Sequence, residues 1–272
     1  MITGVALQAA FNVANELTPT GLRMLTLDGQ IGPASRKAFA LAESRWGAEW
    51  WLRPTPAPRY MIDSFGIITA KLLEKLKKDI GTFPVLAGRY LGGVQSAEVQ
   101  ALAAVGCSLV LVDNHPTNAH VITGSQKQGE AEGARAATLA KATRALGSNV
   151  SDLVFLDVEM EPNVSDLFYI GWAHALKSEG FRPAVYLPNF VNWPASWHAV
   201  RKAVDLGAAC EGTWSAKYVL PSDGSARFLR TGWDQAEAGG PFGPNLLWQY
   251  IGNAYDKSVD FSCFNPGASL RF

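Results

Sequence analysis

The chain has few cysteines, few histidines and no excess of charge of either sign. Its 272 residues include three cysteines, four histidines, 24 lysines and arginines, and 24 aspartates and glutamates. A balanced charge gives no long-range attraction to nucleic acid or to anionic lipid, so we expect neither as a partner. No apolar run approaches the roughly 18 residues that a membrane helix requires, so we expect no membrane span. The hydrophobic content of 48% is typical of a globular protein.

The cysteines are Cys107, Cys210 and Cys263, far apart in the sequence and odd in number. Each lies in a segment with a strand-like pattern, and a lone cysteine packs like a small apolar residue. We therefore expect three free thiols and no zinc site built on cysteine. The first 18 residues, MITGVALQAAFNVANELT, contain no lysine or arginine and so do not resemble a signal peptide.

Residues 53–59, RPTPAPR, contain three prolines and predict a stiff linker between a segment 1–52 and a segment 60–272. The first segment shows two amphipathic helical patterns around a turn, one through Val5, Leu7, Ala10, Phe11 and Ala14, the other through Ala38, Phe39, Leu41 and Ala42. We expect Asp28-Gly29 to form the turn and Pro33 to lie near the start of the second helix.

The stretch LQAAFN…LTLDGQIGPASRKAF resembles the small helical peptidoglycan-binding domain, which begins with Leu-Gln and later carries D-G-x-x-G-x-x-[ST]-x-x-A. The matching positions here are Leu7, Gln8, Asp28, Gly29, Gly32, Ser35 and Ala38. The resemblance implies that residues 1–52 bind the bacterial cell wall. The alternative is that this segment is only a helical spacer.

In residues 60–272, five strand-like patterns each precede a helix-like pattern. The strands are expected at 60–66, 83–90, 107–113, 153–159 and 182–188, and the helices at 69–79, 95–105, 126–146, 165–179 and 195–204. Three further strands, at 208–215, 245–250 and 258–263, follow without a clear helix between them. Repeated βα units predict a parallel sheet, and eight strands can close it. We expect an α/β fold, a TIM-like barrel of about five βα units and three strands.

The fourth strand carries a run of acids, VFLDVEMEP at 154–162. Side chains alternate along a strand, so Leu153, Phe155, Asp157 and Glu159 share one face. In a barrel that face points inward, and inward residues at the carboxyl end of a strand line the active site. Asp157 and Glu159 are then roughly 6–7 Å apart along the strand.

Two neighbouring carboxylates do not ionise independently, and one keeps its proton to higher pH. Such a group can act as the general acid that cleavage of a glycosidic bond requires. The alternative is a structural network in which these acids pair with lysine or arginine.

Acids, amides and aromatic side chains also mark the other strand ends, as expected of a cleft that stacks sugar rings and binds their hydroxyls. Asp63 and Asp260 are the further acids. The candidate substrate-binding residues are Arg89, Tyr90, Asn114, Tyr186, Asn189, Trp214, Tyr218, Trp248, Gln249 and Tyr250. Asp113, His115 and His120 lie within eight residues, but a polar loop is a better explanation for them than a metal site.

The segments MIDSFG, FLDVE, TWSAKY, LWQY and SVDFSCF, in this order across residues 60–272, resemble the Chalaropsis-type lysozymes of glycoside hydrolase family 25 and their glycoside-hydrolase-like relatives. The resemblance implies hydrolysis of the β-1,4 bond between N-acetylmuramic acid and N-acetylglucosamine. Glu159 would be the general acid. Asp157 would orient the N-acetyl group or assist the nucleophilic step, and Asp63 and Asp260 would complete the acidic cluster.

We therefore expect an endolysin-like cell-wall hydrolase that needs no cofactor or metal and has peptidoglycan or a related polysaccharide as its partner. It would act outside the cell or at the cell wall, after lysis or non-classical export. The alternative is a barrel that binds wall polysaccharide without cleaving it.

Overall fold

The computed structural model describes Phe11 and residues 30–46, 60–159, 162–189, 194–217, 245–255 and 259–264. Eight strands lie in these ranges: β1 (Met61–Ser64), β2 (Leu86–Tyr90), β3 (Ser108–Asp113), β4 (Val150–Asp157), β5 (Arg182–Pro188), β6 (Thr213–Ala216), β7 (Asn245–Tyr255) and β8 (Val259–Phe264). The described helices of at least four residues are α1 (Pro33–Trp46), α2 (Ala70–Ile80), α3 (Ser96–Ala104), α4 (His115–Asn118), α5 (Gln126–Arg144), α6 (Asp166–Ser178) and α7 (Pro194–Asp205).

The strands close into a barrel in the order in which they occur in the sequence, β1 to β8. Neighbouring strands from β1 to β7 are parallel, whereas β8 is antiparallel to both β7 and β1. The predicted TIM-like barrel of five βα units and three further strands is confirmed. Because β8 is antiparallel, its first residues lie at the end of the barrel where the other strands finish.

Side chains divide between the two faces of the barrel as strand alternation requires. The inner cluster is small and includes Met61, Val110, Val112, Phe155 and Trp214. The outer cluster is larger, since the helices pack on it; from β4 it includes Val154, Leu156 and Val158. The predicted inward face of β4 is therefore confirmed for Leu153 and Phe155, both buried in the inner cluster.

Local sequence determines where several helices begin and how closely they pack. Thr69 and Ser165 cap α2 and α6 by accepting backbone N–H bonds from Leu72 and Phe168. Helices α5 and α6 approach closely because glycine lies at their contact: a Cβ at Gly129 would come within 2.1 Å of the Phe168 carbonyl oxygen. Any larger side chain there would force the two helices apart.

The connection from α7 to β6 is longer than predicted, so that β6 begins at Thr213 rather than at 208. Gly207 and Gly212 in this connection have φ values of 96° and 151°. Cys210 lies here and is half-buried, and Cys107 lies just before β3, so only Cys263 is in a strand. The prediction of free thiols is confirmed, and that of three strand positions is wrong for two of them.

The second predicted helix of the N-terminal segment is present as α1 and begins at Pro33. Ala38, Ala42 and Phe11 are buried. The rest of the first helical pattern, the Asp28-Gly29 turn and the proline-rich linker lie outside the described residues, so the domain boundaries stay predictions. Among the described helices, no segment combines the length and apolar character needed to cross a bilayer.

Candidate active site

A cavity of about 410 Å³, including its open mouth, lies at the barrel end where β1 to β7 finish. Its walls come from all eight strands and from Glu159, two positions beyond β4, and they are acidic and aromatic. The lining residues are Asp63, Gly88, Tyr90, Val112, Asp157, Glu159, Tyr186, Trp214, Gln249 and Asp260.

The four acids predicted from the sequence all line this cavity. Asp63 lies opposite Asp260 in the antiparallel pairing of β1 with β8. Asp157 ends β4, and Glu159 follows two residues later on the same side. No lysine, arginine or histidine is part of the lining formed by described residues, so these carboxyl groups face one another without an intervening cation.

Burial and mutual repulsion raise the pKa of the two deepest acids. For Asp63, burial raises the pKa well above its ordinary value of 3.8, and the charges of Asp260, Asp157 and Glu159 add to the rise. For Asp157, burial again has the largest effect, followed by the charges of Glu159 and Asp113. The Asp63 Oδ2 atom is buried and has no hydrogen-bond partner among the described residues. Both groups therefore favour the neutral carboxylic acid.

Glu159 differs from these aspartates because its side chain is exposed at the cavity mouth. Its pKa is nevertheless raised, first by the partial loss of hydration there and then by the charge of Asp260. It is thus a carboxyl group that a substrate can reach and that keeps its proton to a higher pH than an ordinary glutamic acid. Such a combination suits a proton donor.

Hydrogen bonds connect Asp260 to the aromatic wall of the cavity. Tyr186 Oη donates to Gln249 Oε1 at 2.7 Å, and Gln249 Nε2 donates to Asp260 Oδ2 at 2.6 Å. Trp214 meets the Tyr186 ring edge-on, with ring centroids 5.2 Å apart, and its Nε1 donates to Ser262 Oγ at 3.1 Å. The amide of Gln249 therefore connects Tyr186 to Asp260 and fixes the orientation of the Asp260 carboxyl group.

Gly88 and Val112 line the cavity but were not among the predicted site residues. Gly88 faces inward, where a Cβ would come within 2.9 Å of Met61 Cε and 3.0 Å of both Asp63 Cβ and Trp214 Cη2. A glycine is needed there because Trp214 fills the space. Side chains alternate along a strand, so Gly88, two residues before Tyr90 on β2, could have been predicted to share the cavity face with Tyr90.

The structure does not bring every predicted substrate-binding residue to the cavity. Tyr90, Tyr186, Trp214 and Gln249 line it. Arg89, Trp248 and Tyr250 point to the outer face of the barrel, because each is the immediate strand neighbour of an inward residue. Asn114 and Asn189 are half-buried and outside the lining. Tyr218 lies outside the described residues.

Trp248 and Tyr250 belong to the core between strands and helices, where the Trp248 indole donates to the Lys217 carbonyl at 3.0 Å. Arg89 is buried and forms an ion pair with Glu98 at 2.6 Å. These three side chains therefore do not line the cavity. They were chosen because they lie at strand ends, and a strand end alone does not decide which face a side chain takes.

A second polar cluster lies behind the cavity, on the outer face of β3. Asp113 Oδ2 accepts a hydrogen bond from Trp172 Nε1 at 3.0 Å, and Asp113 Oδ1 accepts one from Arg135 Nη2. Arg135 also donates to Glu132, which contacts His115 Nδ1 at 2.9 Å. Within the described residues, no group of three or more acidic, histidine or cysteine side chains has the geometry to hold a metal ion. Asp113 and His115 have protein partners instead.

No protein-family model matches the sequence, and no curated protein matches it. Among solved structures, the chain is similar to an uncharacterized protein of B. stearothermophilus, with a TM-score of 0.60 and 22% identity. The match covers 76% of this chain and 96% of that one. The likeness supports the barrel fold alone.

Weaker similarity, below a TM-score of 0.5, extends to two proteins with assigned activities. One is GHIP, a glycosyl hydrolase 25 of Streptococcus pneumoniae, with 13% identity, a TM-score of 0.47 and coverage of 78% of this chain and 88% of that one. The other is a muramidase from Acremonium alcalophilum, with 16% identity, a TM-score of 0.43 and coverage of 78% and 95%. No conclusion about activity rests on either.

Proposed function

We propose that this chain is a glycoside hydrolase that cleaves the β-1,4 bond between N-acetylmuramic acid and N-acetylglucosamine in peptidoglycan. The observation that carries the proposal is the position of Glu159. It is the exposed member of a cluster of four carboxyl groups, and its pKa is raised where the cavity opens to solvent.

Glu159 acts as the general acid. Its proton passes to the glycosidic oxygen as the bond from that oxygen to the anomeric carbon breaks. Water then supplies the hydroxyl group that the anomeric carbon gains, and the other proton of that water returns to Glu159. The sugar at the breaking bond acquires positive charge in the transition state. Ionised carboxylates stabilise that charge, and Asp260, which Gln249 orients within the cluster, is the carboxylate to which we assign this role.

Asp157 lies deeper than Glu159, and burial favours its neutral form. A neutral carboxylic acid can donate a hydrogen bond to an acetamido oxygen, whereas an ionised one can accept a bond from the acetamido N–H. Either contact orients the N-acetyl group that both peptidoglycan sugars carry. Asp63 completes the acidic cluster, and its own pKa is raised by burial and by the charges of Asp260, Asp157 and Glu159.

The sugar specificity is inferred from two sources. Tyr90, Tyr186 and Trp214 give the cavity the aromatic walls that sugar rings pack against, and Gln249 supplies polar atoms. The resemblance of MIDSFG, FLDVE, TWSAKY, LWQY and SVDFSCF to family 25 lysozymes points to peptidoglycan among the possible polysaccharides.

The decisive experiment is release of reducing ends from purified peptidoglycan by the wild type and by Glu159→Gln. We expect the substitution to lower kcat by about 10²- to 10⁴-fold, since glutamine cannot donate the proton. Glu74→Gln is the control, because Glu74 is an exposed glutamate on α2, away from the cavity lining. If the wild type binds cell walls but releases no reducing ends, the chain is a polysaccharide-binding barrel and hydrolysis is excluded.

We further propose that residues 1–52 anchor the enzyme to the cell wall, where the protein acts outside the cell. An anchor raises the local concentration of the enzyme on an insoluble substrate. Deleting residues 1–52 should weaken sedimentation with cell walls and leave hydrolysis of soluble glycan fragments unchanged. Unchanged sedimentation would identify the segment as a spacer.

A further inference from the structure

A buried ion pair that the proposed mechanism does not use holds the loop that follows β1. Arg89 and Glu98 are 2.6 Å apart, with side chains only 3% and 0% exposed. Arg89 Nη1 donates to the carbonyl oxygens of Ser64 at 2.6 Å and Phe65 at 3.0 Å. Glu98 Oε1 accepts from the Ile68 backbone N–H at 2.7 Å. The loop from 64 to 68 is therefore fixed at both ends by one buried pair.

This rigid loop presents an apolar side chain to solvent. Phe65 is 81% exposed, the highest value among the large hydrophobic side chains that the structure describes as exposed. A large aromatic group gains nothing for folding from such a position, because it stays in contact with water. The buried Arg89 nevertheless donates one hydrogen bond to the carbonyl oxygen of Phe65 and another to that of Ser64, the residue before it. Exposure together with a fixed backbone is typical of a contact surface.

Phe65 lies beside the cavity rather than on the far side of the barrel. Its ring is 5.6 Å from that of Tyr90, at an interplanar angle of 58°, and Tyr90 lines the cavity. The two rings form an aromatic rim, defined here as Phe65 and Tyr90. Asp63, two residues before Phe65, is inside the cavity, so the rim begins directly beyond the acidic cluster.

We propose that Phe65 is the stacking surface of an additional sugar subsite, which binds a ring of the glycan strand outside the acid-lined cavity. The proposal rests on the proposed function, because a polymeric glycan extends past the bond that is cleaved. The apolar face of a pyranose ring packs against an aromatic ring through its C–H groups. Tyr90 contacts a sugar inside the cavity, and Phe65 contacts a ring of the strand beyond the two that flank the cleaved bond.

The subsite predicts an effect that depends on glycan length. A short fragment occupies only the acid-lined cavity, whereas a longer one also reaches Phe65. Loss of the ring should therefore weaken the binding of long fragments alone, by about tenfold for one aromatic–sugar contact. A structural role for Phe65 would instead weaken the binding of all fragments together.

The test measures KM for soluble peptidoglycan fragments of two lengths, a single disaccharide that holds one cleavable bond and a tetrasaccharide of two disaccharide repeats. We expect Phe65→Ala to raise KM for the longer fragment by about tenfold and for the shorter by less than about twofold, with kcat unchanged. Phe65→Trp should keep KM for the longer fragment within about twofold of wild type, because it preserves the aromatic face. Leu206→Ala is the control, since Leu206 is 65% exposed and lies at the opposite end of the barrel, between α7 and β6.

If Phe65→Ala changes KM for both lengths equally, or for neither, the subsite is excluded while the hydrolase remains. If the wild type neither binds nor cleaves either fragment, the proposed function fails and the subsite with it. Isothermal titration of the same fragments into wild type and Phe65→Ala provides the binding measurement when the wild type binds but does not cleave. A length-dependent loss of affinity there supports the subsite in a non-catalytic barrel.

Discussion

Two aspartates end neighbouring strands after almost the same sequence and meet opposite surroundings. Asp113 follows VLV on β3, and Asp157 follows VFL on β4. Asp113 points to the outer face, where Arg135 and Trp172 donate hydrogen bonds to its two oxygens. Asp157 points into the cavity, toward other acids.

Both aspartates are buried, and burial is the largest cause of a raised pKa for each. At Asp113, the charge of Arg135 and the hydrogen bonds from Trp172 and Arg135 oppose the rise. At Asp157, the charges of Glu159 and Asp113 add to it. A buried carboxylate with matched donors contributes to folding stability. One that is surrounded by acids lowers folding stability, and its presence is explained by function.

The largest expected difference between the two positions is in catalysis. Asp157→Asn should lower kcat by about 100-fold or more, because an amide changes the hydrogen-bonding pattern beside the reacting sugar and cannot ionise there. Asp113→Asn should change kcat by less than about threefold, since the side chain is on the other face of the barrel. Reducing-end release at a temperature where both variants are folded checks this. Equal losses in the two variants would show that the inner position has no special role.

The second difference is in folding stability, and here Asp113 is the sensitive position. Two donors, Trp172 Nε1 and Arg135 Nη2, meet its two oxygens, but asparagine has one acceptor oxygen and must turn its amide N–H toward the other donor. We expect Asp113→Asn to lower the free energy of unfolding by about 2–3 kcal/mol. Urea denaturation measures this. Asp205→Asn, at an exposed pair with Arg201, should cost less than about 0.5 kcal/mol. Similar costs for both would contradict a special role of burial.

In the acidic cluster, removing a carboxyl group should instead raise the free energy of unfolding, and Asp63→Asn tests this. The folded-state pKa of Asp63 lies above its ordinary value of 3.8. At Asp63, therefore, no folding stability is lost below pH 3.8, and stability is lost as pH rises through the folded-state pKa. Asp63→Asn removes that loss and should raise the free energy of unfolding near neutral pH by about 1–2 kcal/mol. Thermal unfolding across pH should show the gain vanish below pH 3.8. A gain that is independent of pH, or a loss near neutral pH, would contradict this account.

The smallest expected effect on folding stability is that of the hydrogen bond from helix α4 to the end of β4. In α4, Thr117 Oγ1 donates a buried hydrogen bond to the Asp157 carbonyl oxygen. Thr117→Val keeps the shape but removes the donor, and should lower the free energy of unfolding by about 1 kcal/mol. Thr117→Ser retains the hydroxyl and is the control. Equal stability of the valine and serine variants in urea would show that this hydrogen bond does not hold the end of β4.

Much of the fold was predictable because local patterns and tertiary structure agree. The helix predicted at 165–179 is present as Asp166–Ser178, and the strand predicted at 182–188 has those bounds. The pattern of apolar residues reflects which side chains are buried. In a barrel, side chains alternate between the inner face and the outer face that the helices cover. The antiparallel direction of β8 was not predicted, since strand direction depends on pairing and not on local sequence.

The candidate site was partly predictable for the same reason. Alternation along β4 placed Asp157 and Glu159 on one face, and both line the cavity. Arg89 and Trp248 were assigned to the cleft from their position at strand ends, although each is next to an inward residue. A polar or aromatic residue at a strand end has two possible faces, and only the phase of the alternation decides between them.

The sequence by itself determined that apolar strands end in acids and aromatics, and that eight such strands suffice for a barrel. Hydrophobic periodicity is a local property, and it is present in every conformation of the chain. Tertiary structure alone decided which acids meet: Asp63 and Asp260 are neighbours because β8 pairs with β1. It also decided that Asp113 has an arginine partner and that Asp157 faces other acids, because a shift of one residue in strand phase turns a side chain from one face of the sheet to the other.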